Sequence, residues 1–587
     1  MDFNKIASNR IPNPFLQFNI LTIHFFRRLF QNDMVSFEEQ MQERVIGILS
    51  IIAIFSGMVA YLILAKYLLI PDTGNSWIER CVFITFCMLI MSFVAILEWD
   101  IMVPDERDHA NLSPLPIKTS TIFLSKFASL CLFVGLFAIS INAISTLSFI
   151  SILPQAKSLG LLSILKYGIA HITTMFLVCL FSFLSNVFFI GILINFVGYK
   201  IFRRISLYIR TFFIIVYVLL FLFFLRLLLY GWENLSFLEK FITNQTSIRI
   251  IGKYFPPLWF TDLYESLLGN TKIPFHGSSK YVLISMGILI IGFFISTGIQ
   301  YKNFLKKIDS SKAKNRFLKK VQSILTGAFD TIFLRNAVQC SIYYFYKKTL
   351  KSSMFHKMRI ASFVALGIGI IPFQLAFNEI LPKTLTGINK TMLSIPLIIY
   401  SFLLLGLRGV INIPIKLEAN WIFQLTEGKN TRHYFLGLKK AILFNNIIPL
   451  FIFFYIFYSI LWDRITAFNH CIFGLVLAVL IMEILLINYS KIPFACSYLP
   501  GKEKMQFLWL FYLIIFIIYI NVITQIELIL LKNPHIFVTY FLVIFIIILS
   551  IRFYQVFQIY NKNKIQYEEV VDPVMIGLDY KTPTHIR

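Results

Sequence analysis

Four ionisable residues stand in or beside long apolar runs of this sequence. Glu98 and Asp100 close one run, Arg226 lies toward the end of another, and Glu483 sits about two turns from the end of a third. A charge in lipid is costly, so such residues point first to a proton or ion path. All four lie near run ends, where a long side chain can reach the interface, and the pattern therefore predicts snorkelling charges rather than a relay. Asn142, Asn186, Asn445 and Asn446 are expected to hydrogen-bond between helices. Other chemistry is sparse. The chain carries no G-x-x-x-x-G-K-[ST] phosphate loop, no H-E-x-x-H and no G-x-S-x-G. Its 7 cysteines form no C-x-x-C pair and read as small buried apolar residues. The 9 histidines are scattered, with His171 and His470 near run ends and no neighbouring ligand in sequence. No catalytic residue, no metal site and no resident cofactor is expected, and the chain does not read as an enzyme.

The elements that would hold these residues are plain. The 587 residues are 58% hydrophobic and only 14% charged, against about a quarter charged in soluble domains. A water-soluble multidomain enzyme is excluded on that ground. Twelve apolar runs reach the roughly 20 residues that a crossing needs: 46–66, 81–101, 128–150, 168–195, 211–230, 281–299, 360–379, 391–411, 441–462, 467–489, 506–527 and 535–554. Lipid-exposed backbone must satisfy its own hydrogen bonds, so the runs are helices. The predicted fold class is an all-α polytopic membrane protein with about twelve transmembrane helices in two six-helix halves.

Lys plus Arg number 54 against 29 Asp plus Glu, a net charge of +25. The basic residues collect in alternate loops, above all in 300–359, which predicts that both termini are cytoplasmic. That asymmetry also removes the need for a nucleic-acid partner, and contact of the basic segment with anionic lipid is the plainer expectation. No secretory signal pattern is found in the first 45 residues. Instead, 15–31 is expected to lie along the membrane surface as an amphipathic helix, with Gln17, His24, Arg28 and Gln31 on one face and Phe15, Phe18, Phe26 and Leu29 on the other. The expected organisation is an N-terminal segment 1–45, a first six-helix half 46–300, a basic linker 301–359, a second half 360–554 and a tail 555–587. An outer loop at 231–280, rich in aromatics, would cap an opening or rest on lipid headgroups.

Two loops echo one another. The second run is followed by PDERDHANLSPLPIKTSTIFLSKF, Pro104 to Phe127, and the eighth by EANWIFQLTEGKNTRHYFLGLKKA, Glu418 to Ala441. Each passes from acidic residues through a short apolar patch and a turn to lysines that open the next run. SYLPGKEK, Ser497 to Lys504, repeats Leu-Pro-x-Lys after the tenth run. With the amphipathic helix before the first run, these segments resemble the permease subunit of ABC-2 type transporters. The resemblance implies that each of these loops docks on a separate ATP-binding subunit, present in two copies, and that ATP belongs to that partner. It implies coupling roles for Asp105, Glu106, Leu115, Pro116 and Lys118 in the first half. In the second it implies them for Glu418, Trp421, Leu425, Glu427 and Arg432. The chain departs from the family pattern by carrying both halves itself and by having Leu425-Thr426 where Leu-Pro would stand.

The function expected is therefore that of a membrane permease moving an amphiphilic substrate with energy from an ATPase, in the plasma or inner membrane. The alternatives are an ion-coupled carrier or intramembrane enzyme without an ATPase, and a membrane scaffold binding a partner through 301–359.

Overall fold

The computed structural model describes residues 14–30, 38–65, 76–98, 112, 115, 117–152, 161–243, 253–270, 273, 275–305, 330, 332–334, 336–377, 389–415, 420–425, 432–487, 489, 491–495 and 505–560. The protein is all-α, a polytopic membrane protein, with no strand among the described residues. Eleven helices are long and apolar enough to cross a bilayer. The remaining expected crossing, near 281–299, is a helix over Lys280–Leu305 whose apolar described part covers Lys280–Ser296. The chain divides into two compact units. One is 1–312 with 365–378 and 500–512; the other is 313–364, 379–499 and 513–587.

The first unit begins with α1 (Pro14–Phe30), followed by α2 (Glu38–Leu64), α3 (Trp77–Leu97), α4 (Thr119–Ile152), α5 (Leu161–Val197), α6 (Tyr199–Thr243), α7 (Pro256–Leu268) and α8 (Lys280–Leu305). Four positions decide how α1 lies. Leu21, Thr22 and Phe25 are buried against α4, while Phe15 is 69% exposed. The face packed on α4 is centred on 21, 22 and 25. α2 and α4 pack closely because Gly57 leaves no side chain between them: a Cβ there would collide with Ile144 Cγ2. Small residues let membrane helices approach, and hydroxyls then tie them. Here Ser56 Oγ donates to the Ile141 carbonyl at 2.7 Å and Ser140 Oγ to that of Leu49.

α6 is 45 residues long, about 68 Å at 1.5 Å per residue, more than twice what a bilayer core requires. No proline interrupts it, so the helix runs past its apolar stretch Arg204–Arg226 into the segment expected as loop. The later part of that outer segment is helical too. Pro256-Pro257 start α7, Gly269 ends it at φ +85°, and α7 packs on α3, α5 and α8. α7 and α1 lie at opposite ends of the unit: α1 meets the start of α4, α7 the starts of α3 and α5.

The second unit holds α9 (Ala337–Ser352), the first part of α10 (Met354–Phe377), whose residues 365–377 belong to the first unit, then α11 (Lys390–Ile411), the short α12 (Asn420–Leu425) and α13 (Arg432–Ile442). A π-helical turn at Leu443–Ile447 joins α13 to α14 (Ile448–Leu461). Then come α15 (Arg464–Leu485), α16 (Met505–Lys532) and α17 (Pro534–Tyr554), which continues as a second π turn, Gln555–Tyr560. α10 starts six residues before the expected crossing and carries Pro372 inside it, where the ring removes a backbone donor. α9 was not foreseen as a helix. Asn336 caps it by accepting from the Val338 amide at 2.9 Å, and it packs along α13.

Candidate functional site

Two kinds of site were expected, connecting loops and intramembrane charges. Of the loop residues, Leu115, Lys118, Leu425 and Arg432 are described. Leu115 is 48% and Leu425 78% exposed, apolar side chains standing out of short polar connections. Lys118 is exposed just before α4, and Arg432 is exposed at the first position of α13. Trp421 lies within α12. Asp105, Glu106, Pro116, Glu418 and Glu427 lie outside the described residues, as does Asp100.

The start of each third crossing is where these connections meet the amphipathic helices. In the first unit Ser125 Oγ donates to the Phe18 carbonyl at 3.2 Å, and Lys126 Nζ stands 5.1 Å from the Phe25 ring centroid. In the second unit Gly437 brings α13 against the α9 backbone, and Lys440 Nζ donates to Gln339 Oε1 at 2.6 Å and to the Phe333 carbonyl at 2.8 Å. Tyr343 donates to Asn445 Oδ1 at 3.3 Å and Asn446 to the Tyr346 hydroxyl at 2.6 Å, tying α9 to the π turn. Its widened turn opens side-chain positions, as such turns often do at functional places. On the same helix Tyr344 donates to both carboxylate oxygens of Asp330, and burial together with that carboxylate pushes its phenol above the ordinary range. Asn186 accepts from Tyr217 at 3.2 Å across α5 and α6, whereas Asn142 bonds the Ala138 carbonyl of its own helix.

The intramembrane charges correct the snorkelling expectation at one position. Glu98 is the residue capping the end of α3, and Arg226 lies in α6 just before Leu227-Leu228-Leu229; both are half-buried. Glu483 is fully buried. Its two oxygens accept from Lys439 Nζ at 2.6 Å and Arg552 Nε at 2.7 Å, while Gln555 bonds both Lys439 and the Glu483 carbonyl. A carboxylate held by two cations is a structural knot joining α13, α15 and α17. The missed signal was Lys439, one residue from the equally charged Lys440, on the side of α13 that faces inward.

Two further buried assemblies were not anticipated. In the first unit Arg80 pairs with Glu265 of α7, both fully buried, and its guanidinium lies 4.8 Å from the Tyr264 ring centroid and 5.9 Å from that of Tyr167. Asn270 donates to the other Glu265 oxygen at 3.0 Å. Asp262 accepts from the Ser279 amide at 2.7 Å and faces His276 Nδ1 at 3.2 Å. Burial pushes the Tyr264 phenol up to about 12, with Arg80 opposing. His171 completes this group, 3.5 Å from the Tyr264 hydroxyl and packed on Phe149. In the second unit His470 Nδ1 is hydrogen-bonded to Glu527, both buried, under the rings of Tyr458 and Trp462. Neither histidine meets its polar partner close by in sequence; the partners lie 93 and 57 residues away. No cluster of three His, Cys, Asp or Glu able to hold a metal occurs among the described residues.

Comparison with known proteins adds no name to this geometry: no family model, no curated protein and no solved structure matches the chain.

Proposed function

We propose that this chain is the membrane-spanning subunit of an ABC-2 type transporter, moving an amphiphilic substrate across the plasma or inner membrane. Both termini are cytoplasmic in this reading, and the work comes from two copies of a separate ATP-binding subunit. The observation that carries it is the repeated arrangement at the third crossing. In each unit an amphipathic helix packs on the start of that crossing, beside a connection that presents an exposed leucine, Leu115 or Leu425. An apolar knob among charges suits docking into a groove on a partner. Crossings rich in aromatics favour an amphiphilic cargo.

Purification in mild detergent, with an ATPase assay and identification of the co-purifying chain, tests the reading. An ATP-binding subunit should accompany the wild-type chain and be lost from Leu115→Glu while the variant still inserts. Absence of an ATPase, or its retention by Leu115→Glu, counts against it.

A second reading, an ion-coupled carrier, is favoured by the burial of Glu483 and Glu527 in crossing helices. It predicts transport without an ATPase, altered by Glu483→Gln.

A further inference from the structure

His470 and Glu527 differ from the other buried acids described above. Glu483 is held by a lysine and an arginine, Glu265 by an arginine and an asparagine, and Asp262 by the Ser279 amide and a half-exposed histidine, His276. Among the described residues Glu527 has a single hydrogen-bond partner, a histidine. Its second oxygen, Oε2, and the far nitrogen of His470, Nε2, are both buried without a hydrogen bond. The groups that face the pair from the other elements are Tyr458 on α14, Cys471 on α15, Tyr400 on α11, Tyr519 on α16 and Tyr540 on α17. All are neutral in their ordinary form, and none of them supplies a permanent charge.

The balance of charge then decides the occupancy. With one proton the pair is neutral overall, whether written as imidazolium and carboxylate or as imidazole and carboxylic acid. Removing that proton leaves a lone buried carboxylate, and adding a second leaves a lone buried imidazolium; either is expensive away from water. We propose that His470 and Glu527 form a binding site for one proton, filled throughout the neutral range. A proton needs no cavity, which agrees with the rings of Tyr458 and Trp462 closing on the imidazole at 4.7 and 5.4 Å. Glu527 lies five residues from Lys532, the end of α16, roughly 7.5 Å along the axis. Any state that lets water in from that end gives the site a route to exchange its proton. The inference stands apart from the permease reading, since it concerns proton occupancy and needs neither an ATPase nor a substrate.

The test is thermal denaturation of the full chain in detergent across pH, comparing wild type with Glu527→Gln and His470→Gln. In the unfolded chain Glu titrates at about 4.3 and His at about 6.5. Between those values the unfolded pair holds one proton, as the folded pair does, and the pair leaves stability flat. Above about 6.5 the unfolded pair holds none while the folded pair keeps one, so stability falls as pH rises. The wild-type unfolding constant should therefore climb about tenfold per pH unit relative to Glu527→Gln, which carries no such proton. In His470→Gln the proton resides on Glu527 alone, and the fall should begin at about pH 4.3. Parallel profiles for wild type and Glu527→Gln would overturn the proposal. So would an onset in His470→Gln unchanged from wild type, a measurement that decides the matter even where Glu527→Gln does not fold.

Discussion

In the first unit Lys126, at the start of the third crossing, lies over the Phe25 ring of α1. In the second, Lys439 and Lys440 take that place and are bonded to Glu483, Gln555, Gln339 and the Phe333 carbonyl. The far ends match in the same way. His171 in the fourth crossing packs at 4.8 Å on Phe149 from the end of the third, and His470 packs at 4.7 Å on Tyr458 from the end of its third. Apolar placement is shared, and polar partners are not. The first unit surrounds its histidine with a fixed Arg80–Glu265 pair and a capping helix, α7. The second joins α16 to α17 across the single residue Asn533 and leaves His470 facing a lone carboxylate. Packing positions can recur in two units because many side chains fill them. Buried charges cannot be shared piecemeal, since removing one partner strands the other.

The largest expected effect breaks this comparison at the lysines. Lys439→Met leaves Glu483 with only Arg552, whose side chain is 47% exposed. Losing one partner of a buried pair costs about 3–5 kcal/mol. Lys126→Met forfeits a cation–ring contact near the surface, about 0.5–1 kcal/mol. Thermal unfolding in detergent measures both, and equal losses would mean the two lysines are not differently anchored.

A smaller effect separates how the amphipathic helices are held. A Cβ on Gly437 would meet the Gln339 carbonyl oxygen at 2.9 Å and its Cα at 3.0 Å, backbone atoms that cannot swing away. Gly437→Ala should cost about 1–3 kcal/mol, as overpacking does, and should raise amide hydrogen exchange in α9 ahead of the rest of the second unit. Ser125→Ala removes one hydroxyl bond to α1 and should cost about 1 kcal/mol, with exchange rising in α1. If α9 exchange is unchanged in Gly437→Ala, the close approach is not what seats it.

How far the sequence foretold this depended on the kind of interaction. Apolar runs reveal crossings because lipid imposes length and hydropathy on each segment by itself. The helix α1 was legible for the same reason, whereas its packing on α4 through Leu21, Thr22 and Phe25 was not. α9 was hidden inside a stretch dominated by lysines, where charge obscured a cap at Asn336 and a face of tyrosines. Glu483 read as a snorkelling residue because its cations, Lys439 and Arg552, are 44 and 69 residues distant. The Arg80–Glu265 and His470–Glu527 pairs were illegible on the same ground: partners brought together by folding leave no spacing to read. Leu115 was singled out by its place in a loop, and it is exposed.

The smallest effect on stability falls at those exposed leucines, where the comparison is sharpest for function. Leu115→Glu and Leu425→Glu place a charge on side chains that are 48% and 78% exposed, so each should move the unfolding midpoint by no more than about 0.5 kcal/mol in equivalent free energy. On the permease reading, both should weaken retention of the ATP-binding subunit, because an apolar knob that enters a groove cannot carry a buried charge there. The two need not contribute alike. The first leucine is followed by Pro116 and the second by Thr426, and a proline, by fixing its φ, leaves less backbone freedom to lose on binding than a threonine does. Leu115→Glu should therefore release more ATPase than Leu425→Glu, read as the ATPase-to-chain ratio after one purification step. Equal release would show that the two connections dock equivalently despite the missing proline. Greater release from Leu425→Glu would place the dominant contact in the second unit, alongside its denser network of buried charge.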